Sequence, residues 1–171
     1  MDDIELRSEL EKIHAVSFGW AMSCCSHDRH EAGDVLQTAY LKVLDGRARY
    51  NGRSSFKTWL FSVIRNTAAE ERRRHWYRSL GLAKFADSRA AEDNTSEDRY
   101  EDQDEKTREF RKSLGKLPRR QQEVLHLVFY QDMTLEEASV AMGVSIGSAR
   151  THYERAKKGM RSLLYDKEGK T

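Results

Sequence analysis

The sequence predicts an all-α protein of two small helical domains joined by a flexible acidic linker, with a helix-turn-helix in the second domain. Three observations predict it. There is one proline in 171 residues, and turn-bounded strand runs are scarce. Apolar residues recur at three- and four-residue intervals on both sides of a polar stretch. That stretch is acidic, and it lies between two basic bodies. Residues 1–86 hold 14 basic and 11 acidic side chains, residues 87–105 hold 2 and 9, and residues 106–171 hold 14 and 8. The overall net charge of +2 therefore hides two bodies that attract phosphates.

The first domain spans residues 1–80. Ile4, Leu6, Leu10, Ile13, Val16 and Trp20 recur at roughly helical spacing and predict a first helix. Leu36, Ala39, Tyr40, Val43 and Leu44 follow the i, i+3, i+4, i+7, i+8 stripe of a second helix that faces a core. Asp45-Gly46 and Asn51-Gly52 mark a loop. Ser54 or Ser55 can cap a third helix carrying Phe56, Trp59, Leu60, Val63, Ile64 and Thr67 on or near one face. That helix is expected to end in the basic run Arg72-Arg73-Arg74-His75.

Residues 81–105 lack apolar periodicity and are rich in Asp, Glu, Ser, Asn and Ala, the composition of a self-repelling spacer. The second domain, residues 106–171, begins its core with Phe110, Leu114 and Leu117. Pro118 suits the first turn of a new helix, where no N–H is needed. Val124, Leu125, Val128 and Phe129 continue the core, and Met160, Leu163 and Leu164 extend it along the last helix. Between them, Thr134–Ala156 predicts two helices joined by a tight turn. Thr134 and Glu137 fit a capping box, and Ala138 is small enough for a close helix crossing. Gly143 can take a left-handed turn, and Ser145 can cap the second helix. That helix is expected to point Ser148, Arg150, Thr151, His152 and Arg155 outward, and Ala149, Tyr153 and Ala156 inward. Exposed donors on a short helix suit the major groove of DNA.

Several function classes are excluded. No apolar run approaches the length of a membrane span, so no membrane insertion is expected. The N-terminus MDDIELRSELEK is acidic and amphipathic, unlike a signal peptide. Two adjacent cysteines and no others fit a reducing, cytoplasmic compartment rather than a disulfide framework. Cys24-Cys25-Ser26-His27-Asp28-Arg29-His30 holds metal-ligand types, but adjacent cysteines are hard to direct at one tetrahedral ion. Ordinary helix-end residues are the favoured reading, and no metal is expected. Nothing forms a glycine-rich phosphate loop, a nucleophile motif or a supported carboxylate pair, so neither an enzyme nor a cofactor is expected.

Three stretches together resemble the compact extracytoplasmic-function (ECF) group of the sigma-70 family of bacterial RNA polymerase. They are Ala32-Gly33-Asp34-Val35-Leu36-Gln37-Thr38-Ala39-Tyr40-Leu41-Lys42-Val43, Phe56-Lys57-Thr58-Trp59-Leu60-Phe61-Ser62-Val63-Ile64-Arg65-Asn66 with the arginine run after it, and Leu117-Pro118 through the helix-turn-helix. Their order and spacing match over nearly the whole chain. The resemblance implies a factor that gives core RNA polymerase its promoter recognition and helps melt the DNA. Asp34, Gln37 and Lys42 would bind the polymerase's beta-prime clamp. Trp59, Arg65, Asn66, Arg72, Arg73 and Arg74 would meet the −10 element, where a flipped base is held after unstacking. The loop from Tyr50 to Ser55 would form part of that pocket. Ser148, Arg150, Thr151, His152 and Arg155, with Arg119 and Arg120, would meet the −35 element as duplex. The beta flap and an anti-sigma factor are expected partners, the linker would thread the RNA-exit path, and a monomer is expected. Thr38 departs from the family's usual glutamate. His152-Tyr153 replaces its common Arg-Leu or Arg-Ile pair, which is where a distinct base preference would arise. Two rival readings are a stand-alone helix-turn-helix regulator and a sigma mimic that titrates an anti-sigma factor. The first needs neither the Asp34/Gln37 helix nor the Trp59/Asn66 helix, and mimics tend to lose the basic residues that this chain keeps.

Overall fold

The computed structural model describes residues 1–83 and 105–169, which are mostly helical and contain no strand. The chain divides into two compact units, Met1–Ser96 and Glu97–Thr171. The acidic segment expected over residues 81–105 starts within a helix that runs to Ala83, and residues 84–104 lie outside the described residues.

The first unit holds α1 (Asp3–Lys12), α2 (His14–Cys24), α3 (Arg29–Leu44) and α4 (Phe56–Ala83). The single first helix expected from the Ile4-to-Trp20 stripe is therefore two helices. At Ile13 the backbone leaves helical geometry (φ −108°, ψ 13°). The break lets Leu10 and Trp20 both turn inward while Ile4 and Val16 stay in solvent. A capping box opens α1: the Asp2 carboxylate accepts from the N–H groups of Ile4 and Glu5, and the Glu5 carboxylate accepts from the Asp2 N–H. Asp28 caps α3 through the Glu31 N–H at 2.9 Å. Ser55 caps α4, its hydroxyl accepting from the Thr58 N–H at 3.1 Å.

The core of this unit forms around Trp20. Its indole N–H donates to the Phe61 carbonyl at 2.9 Å, and its ring stacks on Phe61 with centroids 5.7 Å apart. Val35, Leu36, Ala39 and Val43 of α3 and Leu60, Ile64 and Ala68 of α4 are buried in the same unit. Each large apolar side chain buried this way contributes about 1.5–3 kcal/mol. α4 does not end at the arginine run. No proline interrupts residues 72–83, and Arg72 Nη1 donates to the Cys24 carbonyl at 2.9 Å, which ties the middle of α4 to the end of α2.

The second unit holds α5 (Glu105–Leu114), α6 (Arg119–Leu125) with a π-helical turn at His126–Tyr130, α7 (Leu135–Met142) and α8 (Ile146–Glu168). The Thr134/Glu137 capping box is formed in both directions, at 3.2 and 2.8 Å. Gly143 takes φ 65°, ψ 37°, and Ser145 caps α8 through the Ser148 N–H at 3.1 Å. Two core expectations are corrected. Phe129 is 58% exposed and Leu127 is fully buried in its place. The π-turn adds a residue per turn and so rotates this stretch out of the 3.6-residue phase. Leu164 is also exposed, because Met160 and half-buried Leu163 complete the inward stripe of α8. α8 passes so close to the α5–α6 connection that a Cβ on Gly159 would stand 2.8 Å from Leu117 Cδ2.

Candidate nucleic-acid interfaces

In the first unit, Asp34 and Gln37 stand exposed one turn apart on α3, while Val35 and Leu36 face the core. Beside Gln37 opens a groove of about 400 Å³, lined by His14, Phe18, Gly33, Leu36, Tyr40 and Leu41 among others. Burial pushes the half-buried Tyr40 phenol above its ordinary pKa, so it stays a neutral donor and acceptor there. Lys42 does not join Asp34 and Gln37. Its ammonium turns to α4 and donates to Thr67 Oγ1 at 3.2 Å and Glu70 Oε2 at 2.5 Å.

The loop before α4 turns through left-handed Gly46 and Gly52. It is fastened by Asp45, which accepts from the Arg47 N–H and guanidinium. The Arg47 backbone N–H is the main cause holding the Asp45 carboxyl below the usual aspartate value. The loop delivers Tyr50 onto α4. Tyr50, Phe56 and Trp59 form a mutual cluster with centroids 5.3–5.5 Å apart. The Tyr50 hydroxyl donates to the Ser54 carbonyl at 2.6 Å, which fixes the ring. Trp59 is half-buried in this cluster, with part of its indole in solvent. Asn66 lies two turns on, exposed and in the middle of α4 rather than near its end. The arginines divide by role. Arg73 is exposed, Arg74 pairs with Glu71 at 3.2 Å, and Arg72 commits one donor to Cys24. Cys24 and Cys25 are buried at 2% and 3% exposure, and neither is in a disulfide.

In the second unit, Ser148, Arg150, Thr151 and Arg155 are exposed on α8, and Ala149 and Ala156 are fully buried. His152 is half-buried. Tyr153 is half-buried as well, and stacks on Phe129 with centroids 6.3 Å apart. Arg150 Nη2 stands 3.8 Å from Glu136 Oε1 of α7. Arg120 donates to the Met142 carbonyl at 3.2 Å and so caps the end of α7; Arg119 is exposed at the start of α6. Glu154, Arg155, Lys157, Lys158 and Arg161 line an open, mainly basic surface further along α8.

The Sigma-70 region 2 model matches residues 11–78, and the Sigma-70, region 4 model matches residues 107–160. This chain belongs to the ECF group of the sigma-70 family. It is an RNA polymerase sigma factor, which directs promoter recognition and DNA melting in transcription initiation. It is 28% identical over 137 residues to the RNA polymerase sigma factor YlaC of Bacillus subtilis (strain 168), covering 77% of this chain and 76% of that protein. With the ECF RNA polymerase sigma factor SigX of the same organism it shares 29% over 145 residues, covering 80% and 72%. Its fold resembles the sigma factor RpoE solved in complex with the anti-sigma factor NepR from Bartonella quintana. The TM-score is 0.73 at 23% identity, over 94% of this chain and 97% of that one.

Within this sigma factor, sequence reasoning missed Phe56 as a wall of the Trp59 cluster and Glu136 as the partner of Arg150. The first had a signal, since Tyr50, Phe56 and Trp59 crowd together in sequence across the loop and the helix start. The second had none, because Glu136 and Arg150 meet only through the angle at Gly143.

Proposed function

We propose that the first unit docks on the beta-prime clamp of RNA polymerase through the exposed Asp34/Gln37 face of α3. The same unit holds the melted −10 strand along α4 with Trp59, Asn66 and Arg73. The second unit docks on duplex −35 DNA through Ser148, Arg150, Thr151, His152 and Arg155, and its groove beside Phe110, Phe129 and Met160 takes the beta flap. An exposed carboxylate next to an amide suits an arginine-bearing partner helix. Lys42 supports this face from behind by joining α3 to α4, and Arg120 supports the duplex reader by capping α7. An anti-sigma factor holds the protein inactive, and the free protein is a cytoplasmic monomer. Catalysis stays with the polymerase.

The observation that carries this reading is the pairing, in one chain, of two helices that each aim uncharged donors and arginines at solvent from a rigid core. A stand-alone regulator has no use for the first. The test is transcription in vitro with core polymerase and a library of genomic fragments, beside a core-binding assay. The wild-type protein directs discrete promoter-specific transcripts. The Asp34→Lys, Gln37→Ala variant loses about tenfold or more in core affinity and loses the transcripts with it, on the scale of one or two charge-assisted contacts. Undiminished core binding by that variant overturns the assignment of the α3 face.

A further inference from the structure

Lys42 of α3 turns away from the Asp34/Gln37 face and onto α4. Its ammonium donates to Thr67 Oγ1 at 3.2 Å and to Glu70 Oε2 at 2.5 Å. The lysine side chain is 18% exposed and the glutamate 41%. Thr67 is buried, and its hydroxyl donates its own hydrogen to the Val63 carbonyl at 2.8 Å. The hydroxyl oxygen is thus left as an acceptor aimed at the ammonium. Two oxygens of α4 therefore fix the lysine head in place.

The acid at the other end of this pair stands in an awkward position. α4 carries two carboxylates, Glu70 and Glu71. Glu71 is paired with Arg74 of its own helix at 3.2 Å. Glu70 stands four residues after Asn66 and three before Arg73, and such positions are surface neighbours on a helix. It lies between two exposed side chains that the −10 reading turns toward DNA. Left without a cation from elsewhere, this carboxylate acts against both neighbours. It repels the phosphates that they approach. It also pairs readily with Arg73 one turn on, which draws that guanidinium away from phosphate. A lysine reaching over from another helix removes both effects, because it neutralises Glu70 without using an arginine of α4.

We propose that Lys42 is a positioning residue for DNA binding. It draws Glu70 back against α3 and masks its charge, so that Asn66 and Arg73 meet a phosphate backbone with no bare acid between them. Lys42 then acts on promoter DNA without touching it, and through a residue on a different helix. This rests on the reading of α4 as the helix that faces melted DNA.

The test uses the full chain with core polymerase on a promoter taken from the fragment library, and it reads transcript yield at low and at high salt. Lys42→Met lowers the yield about threefold or more at low salt, the size of one uncompensated charge near a phosphate. The deficit narrows as salt screens that charge. Adding Glu70→Gln to Lys42→Met restores the yield, because the acid that needed masking is gone. Lys42→Arg, which keeps the cation, stays within about threefold of the wild type. A double variant as weak as Lys42→Met overturns the proposal, since a strut that only stabilises the fold is not rescued by losing its second partner. Wild-type yield from Lys42→Met overturns it as well. So does a loss of core affinity in Lys42→Met that matches its loss of transcript, which returns the lysine to the clamp. Asn66→Ala, run beside these variants, separates the two readings. If it is impaired while Lys42→Met is not, the mask alone fails. If it yields as much transcript as the wild type, the reading of α4 fails and takes the mask with it.

Discussion

α4 and α8 are both long, basic and open to solvent along one flank, yet they expose different chemistry. α4 shows aromatic faces, an amide and arginines: Trp59 in part, Asn66, Arg73, Trp76 and Tyr77. The first three turns of α8 show hydroxyls and arginines, and their aromatic residue, Tyr153, is occupied by Phe129. A ring face is useful to a base only after the base has left its stack, whereas hydroxyls and guanidinium groups reach the edges of paired bases and phosphates. On the proposed assignment, the surface chemistry of each helix matches the state of the DNA it meets, melted for α4 and paired for α8.

The two helices also rest on different supports, and the largest expected effect tests that. α4 is held by the Trp20–Phe61 stack, so Trp20→Ala destabilises the first unit by about 3–5 kcal/mol. Urea denaturation followed by circular dichroism measures it. A change under about 1 kcal/mol, the scale of an ordinary surface substitution, would mean that α4 is held by something other than this stack. Next in size is the contrast between Asn66→Ala and Arg150→Ala in transcription from a duplex promoter with core polymerase. Each loses about tenfold or more, a contact of roughly 1–3 kcal/mol. A template with a premelted −10 region restores the Asn66 variant and leaves the Arg150 variant impaired. Rescue of both, or of neither, would erase the distinction between the helices. The smallest effect falls on the turn before α8. Gly143 is left-handed, and Gly143→Ala costs the second unit about 1–2 kcal/mol of stability by forcing a Cβ into that conformation. Thermal unfolding that stays at the wild-type midpoint would show the turn relaxing to another geometry.

Local signals were legible in the sequence. The Thr134/Glu137 box, the Gly143 turn and the Ser145 cap each depend on residues close together in the chain, and each formed as spaced. Leu36, Ala39 and Val43 of the α3 stripe and the outward Ser148, Arg150, Thr151 and Arg155 were equally readable, because a regular helix keeps its phase; Leu44, expected inward with them, is exposed at the end of α3, and Tyr40 is half-buried. What stayed hidden were changes of phase and contacts made across the fold. The break at Ile13 interrupts a continuous apolar stripe without a glycine or proline to announce it. The π-turn exchanges Leu127 for Phe129 in the core. Arg72, Lys42 and Arg120 look like surface charges in sequence, and each turns instead to a helix packed beside it. Arg120, expected beside Arg119 at the −35 surface, serves in the free protein as a helix cap.

On the proposed reading of α8 as the −35 reader, Glu136 makes the contact of Arg150 conditional. In the free protein the Arg150 guanidinium already has a carboxylate 3.8 Å away, so any base edge it takes is taken by exchange. A guanine offering two acceptors can displace a single exposed carboxylate, while a base offering one has little advantage over it. The glutamate then works as a built-in competitor, trimming the stickiness of α8 for arbitrary DNA more than its hold on a matched site.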